Sequence, residues 1–366
     1  MRARDPDDND GVNDVTPRSP LAEGALFALA SAAAFGATTP LLQRFGRGAG
    51  AFPTATLLYA GAALASVRFQ RRGPSVEAPV RWRHGRRLVA VSLAGAVLAP
   101  VCLAWGLQRT GGAAASLLLN LEAVFTVFLA FLVYREPIGA RVGLALAAMV
   151  LGGACLVLDH RALDTVAVGA LAVVVATIAW AVDNTLSRPL SELDPTQVVR
   201  WKGTLGASLG ALATVVLGER WPHPFDALAL LACGATGYGL SLRLYLLAQR
   251  RIGAGRTGSI FALAPFVGAA LAFALGDRSA GGWTLAGGLF FAAGACLHLT
   301  ETHGHVHTHE ALAHEHAHRH DDGHHEHAHE AAVVGDHSHW HRHEARIHEH
   351  EHAPDAHHHH RHLRGD

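Results

Sequence analysis

The chain is poor in charge, in cysteine and in lysine. Asp, Glu, Lys and Arg make up 16% of its 366 residues, against about 25% in an ordinary soluble domain. Those charges crowd the two ends and a few short connections. Formal net charge is zero with histidine neutral, which gives no basis for a nucleic-acid partner. The four cysteines, Cys102, Cys155, Cys233 and Cys296, lie far apart inside apolar runs and form no CxxC pair. They read as small packing residues and imply no disulfide framework. Lys202 is the only lysine. A cleavable signal peptide is also missing, because residues 1–20 hold Asp5, Asp7, Asp8, Asp10 and Asp14 and no apolar core. That opening is expected to be a disordered leader.

What the chain has instead is hydrocarbon. Half of it is apolar, in runs at roughly 24–43, 51–67, 88–107, 113–134, 140–158, 167–187, 199–217, 226–247, 257–275 and 281–299. Each is close to the ~20 residues that a helix needs to cross a bilayer. The runs carry no polar face and are dominated by Ala and Gly, the residues that let membrane helices approach closely. Ten such runs in succession argue against a large soluble helical protein. Arginine sets the orientation. The connection after the second run carries Arg68, Arg71, Arg72, Arg81, Arg83, Arg86 and Arg87 against Glu77. Other even-numbered connections add Arg135, Arg141, Arg188, Arg200, Arg250 and Arg251, and the odd-numbered ones are poorer. The positive-inside rule then puts even connections and both termini in the cytoplasm.

The chain is doubled. LQRTGGAAAS at Leu107–Ser116 matches AQRRIGAGRT at Ala248–Thr257, an offset of 141 that also sets Glu136 on Asp277 and GACL at Gly153 on GACL at Gly294. EGALFALASAAAFG at Glu23–Gly36 is similar to VGALAVVVATIAWA at Val168–Ala181. Five spans per copy force the halves upside-down relative to each other, the arrangement of many secondary transporters. The segment GGAAASLLLNLEAVFTVFLAFLVYREPIGARVGLALAAMVLGGACL resembles the fourth and fifth helices of the EamA-type drug/metabolite transporter superfamily. AWAVDNTLSR at Ala179–Arg188 resembles the start of that family's second repeat. The resemblance covers residues 21–299. It implies an all-α integral membrane fold of ten transmembrane helices as two inverted five-helix repeats, and alternating access driven by an ion gradient or exchange. The expected divisions are a leader over 1–20, a first repeat over 21–158, a second over 159–299 and a tail over 300–366.

Ionisable groups inside a bilayer are costly and mark function. The substrate candidates are Glu122 with Asn120 beside it, Asp183 and Asn184, Lys202 and Arg243. Glu122 has no counterpart in the second copy, where the register gives Leu263. It reads either as a carrier of a proton or cation or as half of a structural ion pair with Lys202 or Arg243. Asp183 and Lys202 lie near enough to helix ends to snorkel to the interface. Pro40, Pro100 and Pro265 fall inside apolar runs, where proline frees a backbone carbonyl and allows a kink; Pro265 is the gate candidate.

The tail is the opposite of the body. All but four of the 28 histidines lie beyond residue 302. The metal candidates are His307, His309, His314, His316, His318, His320, His324, His325, His327, His341, His343, His348, His350, His352, His357, His358, His359, His360 and His362. The tract is itself duplicated at a shift of 34, and His357–His360 fall within the second copy, which sets them apart from an expression tag. Few apolar residues interrupt it, so no core is expected and the tail reads as disordered without ligand. Neutral imidazole suits Zn, Ni, Co and Cu, and the tail is expected to bind such ions, with no cofactor required by the body. Three HExxH matches, at His314–His318, His325–His329 and His348–His352, follow from the alternation, and no fixed helix is expected to hold them, so an enzyme is rejected. With a reference pKa of about 6.5, the same histidines also admit a pH sensor. The functional expectation is a small-molecule carrier of the cytoplasmic membrane with a metal-sensing tail. Its partners are the lipid bilayer and a small-molecule or ion substrate, and a homodimer is left open. The alternatives are a Zn, Ni or Co exporter and a membrane-anchored metal store.

Overall fold

Ala- and Gly-rich apolar runs become helices because backbone in hydrocarbon must bond to itself, and small side chains let the axes cross closely. The computed structural model describes residues 20–69, 77–134, 138–158, 165–190, 193–299, 304–309, 312–318, 337–343 and 346–351. In the first half, α1 (Pro20–Phe45) and α2 (Ala51–Phe69) are followed by a span at Trp82–Leu107. That span is a 3-10 turn, α3 (Gly85–Val91), a π-helical segment (Ser92–Leu98) and α4 (Ala99–Leu107). Next come α5 (Gly112–Leu118) and α6 (Leu121–Tyr134), parted by a break at Leu119–Asn120, and then α7 (Ala140–Leu158). The second half repeats the plan. α8 (Thr165–Ser187) and α9 (Pro195–Leu217) precede α10 (Pro224–Cys233), a second π-helical segment (Gly234–Leu240) and α11 (Ser241–Phe261). α12 (Ala264–Ala274) and α13 (Gly282–Leu299) complete it.

Six of the described helical spans are long and apolar enough to cross a membrane, and α12 and most of α13 are shorter apolar helices. Two boundaries differ from the hydropathy reading. The eighth run, expected to end at 247, continues as α11 to Phe261. The ninth, expected at 257–275, is therefore split, and its separate helix starts only at Ala264, after a break at Ala262–Leu263. Pro265, in the first turn of α12, accounts for the break: it offers no N–H to the turn before it. Pro265 is thus a helix start, while Pro40 stays inside α1 and Pro100 sits in the first turn of α4.

The halves pack on each other as equivalents. α2 packs on α9 and α7 on α13, so two elements each meet their own counterpart, and α5 packs on α12. α1 packs on α11 and α12, and its counterpart α8 packs on α4 and α6. Glycines permit the closest crossings: a methyl group at Gly36 would collide with Ala264 O, and one at Gly234 with Leu58 O. Leu58, Leu103, Leu118, Leu156 and Phe291 fill the interior, while Leu64, Val215, Val216, Leu228 and Leu285 point outward, as lipid-facing residues do.

The tail departs from expectation. Read from composition as disordered, it holds among its described residues two antiparallel ladders, β1 (Gly304–His309) with β4 (Arg346–Glu351) and β2 (Leu312–His318) with β3 (His337–His343). Composition describes what cannot form a core; the period-two alternation of His with other residues is itself a strand pattern, and it prevails. His320, His324, His325, His327, His352, His357, His358, His359, His360 and His362 lie outside the described residues, as does the leader.

Candidate functional site between the two halves

The two π-helical segments, Ser92–Leu98 and Gly234–Leu240, lie 142 residues apart, one residue from the repeat offset. The breaks at Leu119–Asn120 and Ala262–Leu263 form a second matched pair. A π turn widens the helix and misaligns carbonyls, which is why such turns gather at functional sites. Interrupted helices at corresponding places in two halves are the strongest sequence-level pointer to a carrier's binding site.

Gly95 shows what the first segment does. Ala99 N donates to Ala94 O, the π pattern. The next donor for Gly95 O would be residue 100, which is proline and has no N–H. The freed Gly95 O is taken instead by two side chains, Tyr59 Oη from α2 and Trp180 Nε1 from α8, the latter at 3.1 Å. In the second half Thr236 O, the counterpart of Ala94 O, receives Ser241 N, and the Ser241 hydroxyl bonds with Ser31 of α1.

Around this point the rings converge. Phe35 meets Trp180 at 6.2 Å, Tyr238 at 5.8 Å and Phe261 at 5.5 Å between centroids. Tyr59 stacks obliquely on Tyr238 at 5.3 Å, and Tyr245 meets Phe261 edge-on at 5.0 Å. These are the separations at which aromatic pairs attract. Four membrane elements of both halves contribute besides the π segment. The sequence reading missed this cluster, although a signal was present. The chain has only four tyrosines; three are in the cluster, and the fourth, Tyr134, donates to Thr185 O beside Asn184.

The acidic residues sit on the other side of Gly95. A methyl group at Gly95 would collide with the Asp183 carboxylate. Asp183 pairs with Lys202 and accepts from Ser187 Oγ at 3.2 Å. Their side chains are 4% and 13% exposed, so they do not snorkel: each is the other's neutraliser inside the bundle. Glu122, at the start of α6 just past the break, accepts from Asn184 Nδ2 at 2.6 Å. Neither Lys202 nor Arg243 is its ion-pair partner. Asn120 turns back onto Leu117 O at 2.9 Å and serves the break itself. Arg243 lines a shallow crevice with Ser66, Thr196, Val199 and Gly239. The structure thus brings together Glu122, Asp183, Asn184 and Lys202, and places Asn120 at the break, Arg243 at the crevice and Pro265 at the start of α12. Ser92 and Ser116 hydroxyls are buried without a hydrogen-bond partner among the described residues.

Both ends of the interface are tied. At the face of the odd connections, Glu219 Oε2 accepts from Phe52 N at 2.8 Å and Asp277 Oδ2 from Ala113 N at 3.0 Å, each across the two halves. Gln108 reaches Ala49 O and Gln43 reaches Thr110 O. Burial alone would push the Asp277 carboxyl up, but the hydrogen bonds from Ser279, Ala113 and Gly112 outweigh it and hold the pKa below the ordinary carboxylate value. At the opposite face, Ala78 bridges Leu193, Val80 N donates to Gln197 Oε1 at 3.1 Å, and Arg251 pairs with Glu23 at 3.1 Å.

The EamA-like transporter family matches the chain twice, over residues 22–158 and 167–300. An uncharacterized transporter of Methanothermobacter thermautotrophicus is 31% identical over 209 residues, which span 56% of this chain and 61% of that protein. A solved crystal structure aligns with a TM-score of 0.55 at 18% identity, covering 75% of this chain and 94% of that one, a likeness of fold.

Proposed function

Since the chain belongs to the EamA-like transporter family, we propose that it is a secondary carrier, moving a small organic molecule across the cytoplasmic membrane by alternating access. The observation that carries this reading is the matched pair of π-helical segments with the aromatic cluster between them. On this reading ten helices form two inverted halves, and the site lies near mid-membrane where they meet. Substrate displaces ring–ring contacts and uses the polar groups around Gly95 for orientation. On this reading the ties at the two faces act as gates that open in turn. Positive-inside bias puts the Arg251–Glu23 end, the termini and the tail in the cytoplasm.

The tail on this reading binds transition metal at the inner face. The shared register supports it: His305 stands opposite His350, His307 opposite His348, His314 opposite His341, His316 opposite His339 and His318 opposite His337. Directly opposed strand residues are about 4.5–5.5 Å apart at Cα, a spacing that suits bidentate capture of Zn, Ni, Co or Cu. The alternation also favours a second reading, export of the metal itself.

One experiment separates these. Purified chain, whole or ended after Leu299, is reconstituted in vesicles and tested for flux of a panel of organic solutes and of divalent metals. The carrier reading expects organic flux in both forms. Metal flux that depends on the tail would move the assignment to metal export, and no flux of either kind would leave a metal store.

A further inference from the structure

We infer that the aromatic cluster and the Glu122 cluster form one site for a singly charged organic cation, an ammonium compound with an apolar body. This rests on the carrier reading above and names its substrate class. The two clusters share a wall. Tyr59 and Trp180 meet at Gly95 O, and Asp183 lies against the Gly95 Cα. The rings offer faces, and the face of an aromatic ring attracts a cation, more strongly when water is excluded.

Charge balance gives the sign. Glu122 and Asp183 bring two carboxylates, Lys202 one ammonium, and that ammonium is engaged with Asp183. Among the described residues no cation lies within ion-pair distance of Glu122, whose contact is the neutral Asn184 amide. An unmatched carboxylate in low dielectric is neutralised by a proton or by a counter-charge, and a fixed organic cation can take the place of the proton. An anion would meet repulsion from Glu122 and the negative faces of the rings. A doubly charged ion would overshoot. The buried, unpartnered hydroxyl of Ser92, at the head of the π segment, is a further polar group left for a ligand. The tight ring packing implies that the rings part as the ligand enters.

The test is equilibrium binding to the whole purified chain in lipid nanodiscs, with three probes on the same benzyl frame: benzyltrimethylammonium, neutral neopentylbenzene, and phenylmethanesulfonate. The cation is expected to bind at least about tenfold more tightly than the neutral isostere. Glu122→Gln, which keeps an oxygen for Asn184, is expected to remove that preference. Tyr238→Phe should retain cation binding, and Tyr238→Leu should weaken it. Equal binding of the isostere, preference for the sulfonate, or full cation preference in Glu122→Gln would overturn the inference. Vesicle flux tells the two failures apart. Transport of neutral or anionic solutes without cations leaves the carrier standing and sinks the cation site; cation binding with no solute flux of any kind sustains the site and sinks the carrier.

Discussion

Asp277 is a connection residue of the second half that caps a helix of the first. Its Oδ2 accepts from Ala113 N, at the start of α5, while Oδ1 accepts from Ser279 N at 2.9 Å and Ser279 Oγ at 2.6 Å. A carboxylate at a helix start also meets the positive end of its dipole. Asp277→Asn keeps an acceptor but removes the charge. A charge-assisted hydrogen bond is worth about 1 kcal/mol more than a neutral one, and solvent near this half-exposed group keeps the total loss to about 1–2 kcal/mol. That shifts the closed–open balance of the face about five- to thirtyfold. Ser116, one turn further along α5 and fully buried, reports it. In a background with the four native cysteines replaced, Ser116→Cys should react with an impermeant thiol reagent about five to thirty times faster when Asp277 is Asn. The pH dependence has a definite sign. Because the carboxyl is held below its ordinary value, the latch is at full strength above about pH 4 and fails only as pH falls through the lowered pKa. Labelling should be flat from pH 7 to 5. An unchanged rate in Asp277→Asn, or loosening already between pH 7 and 5, would refute the assignment of a latch.

Three more outcomes follow from the packing. Gly95→Ala drives a methyl group into Asp183, and is expected to cost about 1–3 kcal/mol, read as lowered thermal stability in detergent together with lost transport. Removing one member of the Asp183–Lys202 pair strands a buried charge, so Asp183→Asn or Lys202→Met should each destabilise by about 3–5 kcal/mol, and the double variant by less than their sum. Additive losses would mean that the pair is not coupled. In the tail, zinc affinity of the whole chain should show coupling between His316→Ala and His339→Ala, which are register partners, and additivity between His316→Ala and His350→Ala, which are not.

Hydropathy located the helical runs because length and apolar content survive any packing. It could not place the break at Ala262–Leu263, since Ala, Leu and Phe read as helix until Pro265 removes a donor. Glu122, Asp183, Asn184 and Lys202 were legible as intramembrane polar groups, but their pairing was not: Lys202 is nineteen positions from Asp183, and only the packing of α8 on its neighbours decides that it meets Asp183. The aromatic cluster was passed over because Phe35, Tyr59, Trp180 and Tyr238 look like ordinary core residues along the chain. Pro100 was the available clue, since proline strips the carbonyl five residues back of its π partner, and that carbonyl is Gly95 O. His305, His337 and His339, the register partners of His350, His318 and His316, were not among the metal candidates because composition ignores register.

The central claim is that the Gly95-centred site opens to each side of the membrane in turn. Ser92, at the head of the first π segment, is fully buried when both faces are tied. A single cysteine at Ser92 in oriented vesicles, challenged with an impermeant thiol reagent from one side and then the other, tests it. Labelling is predicted from both sides, rising from the odd-connection side and falling from the opposite side in Asp277→Asn. Labelling from one side alone, in every variant, would contradict it.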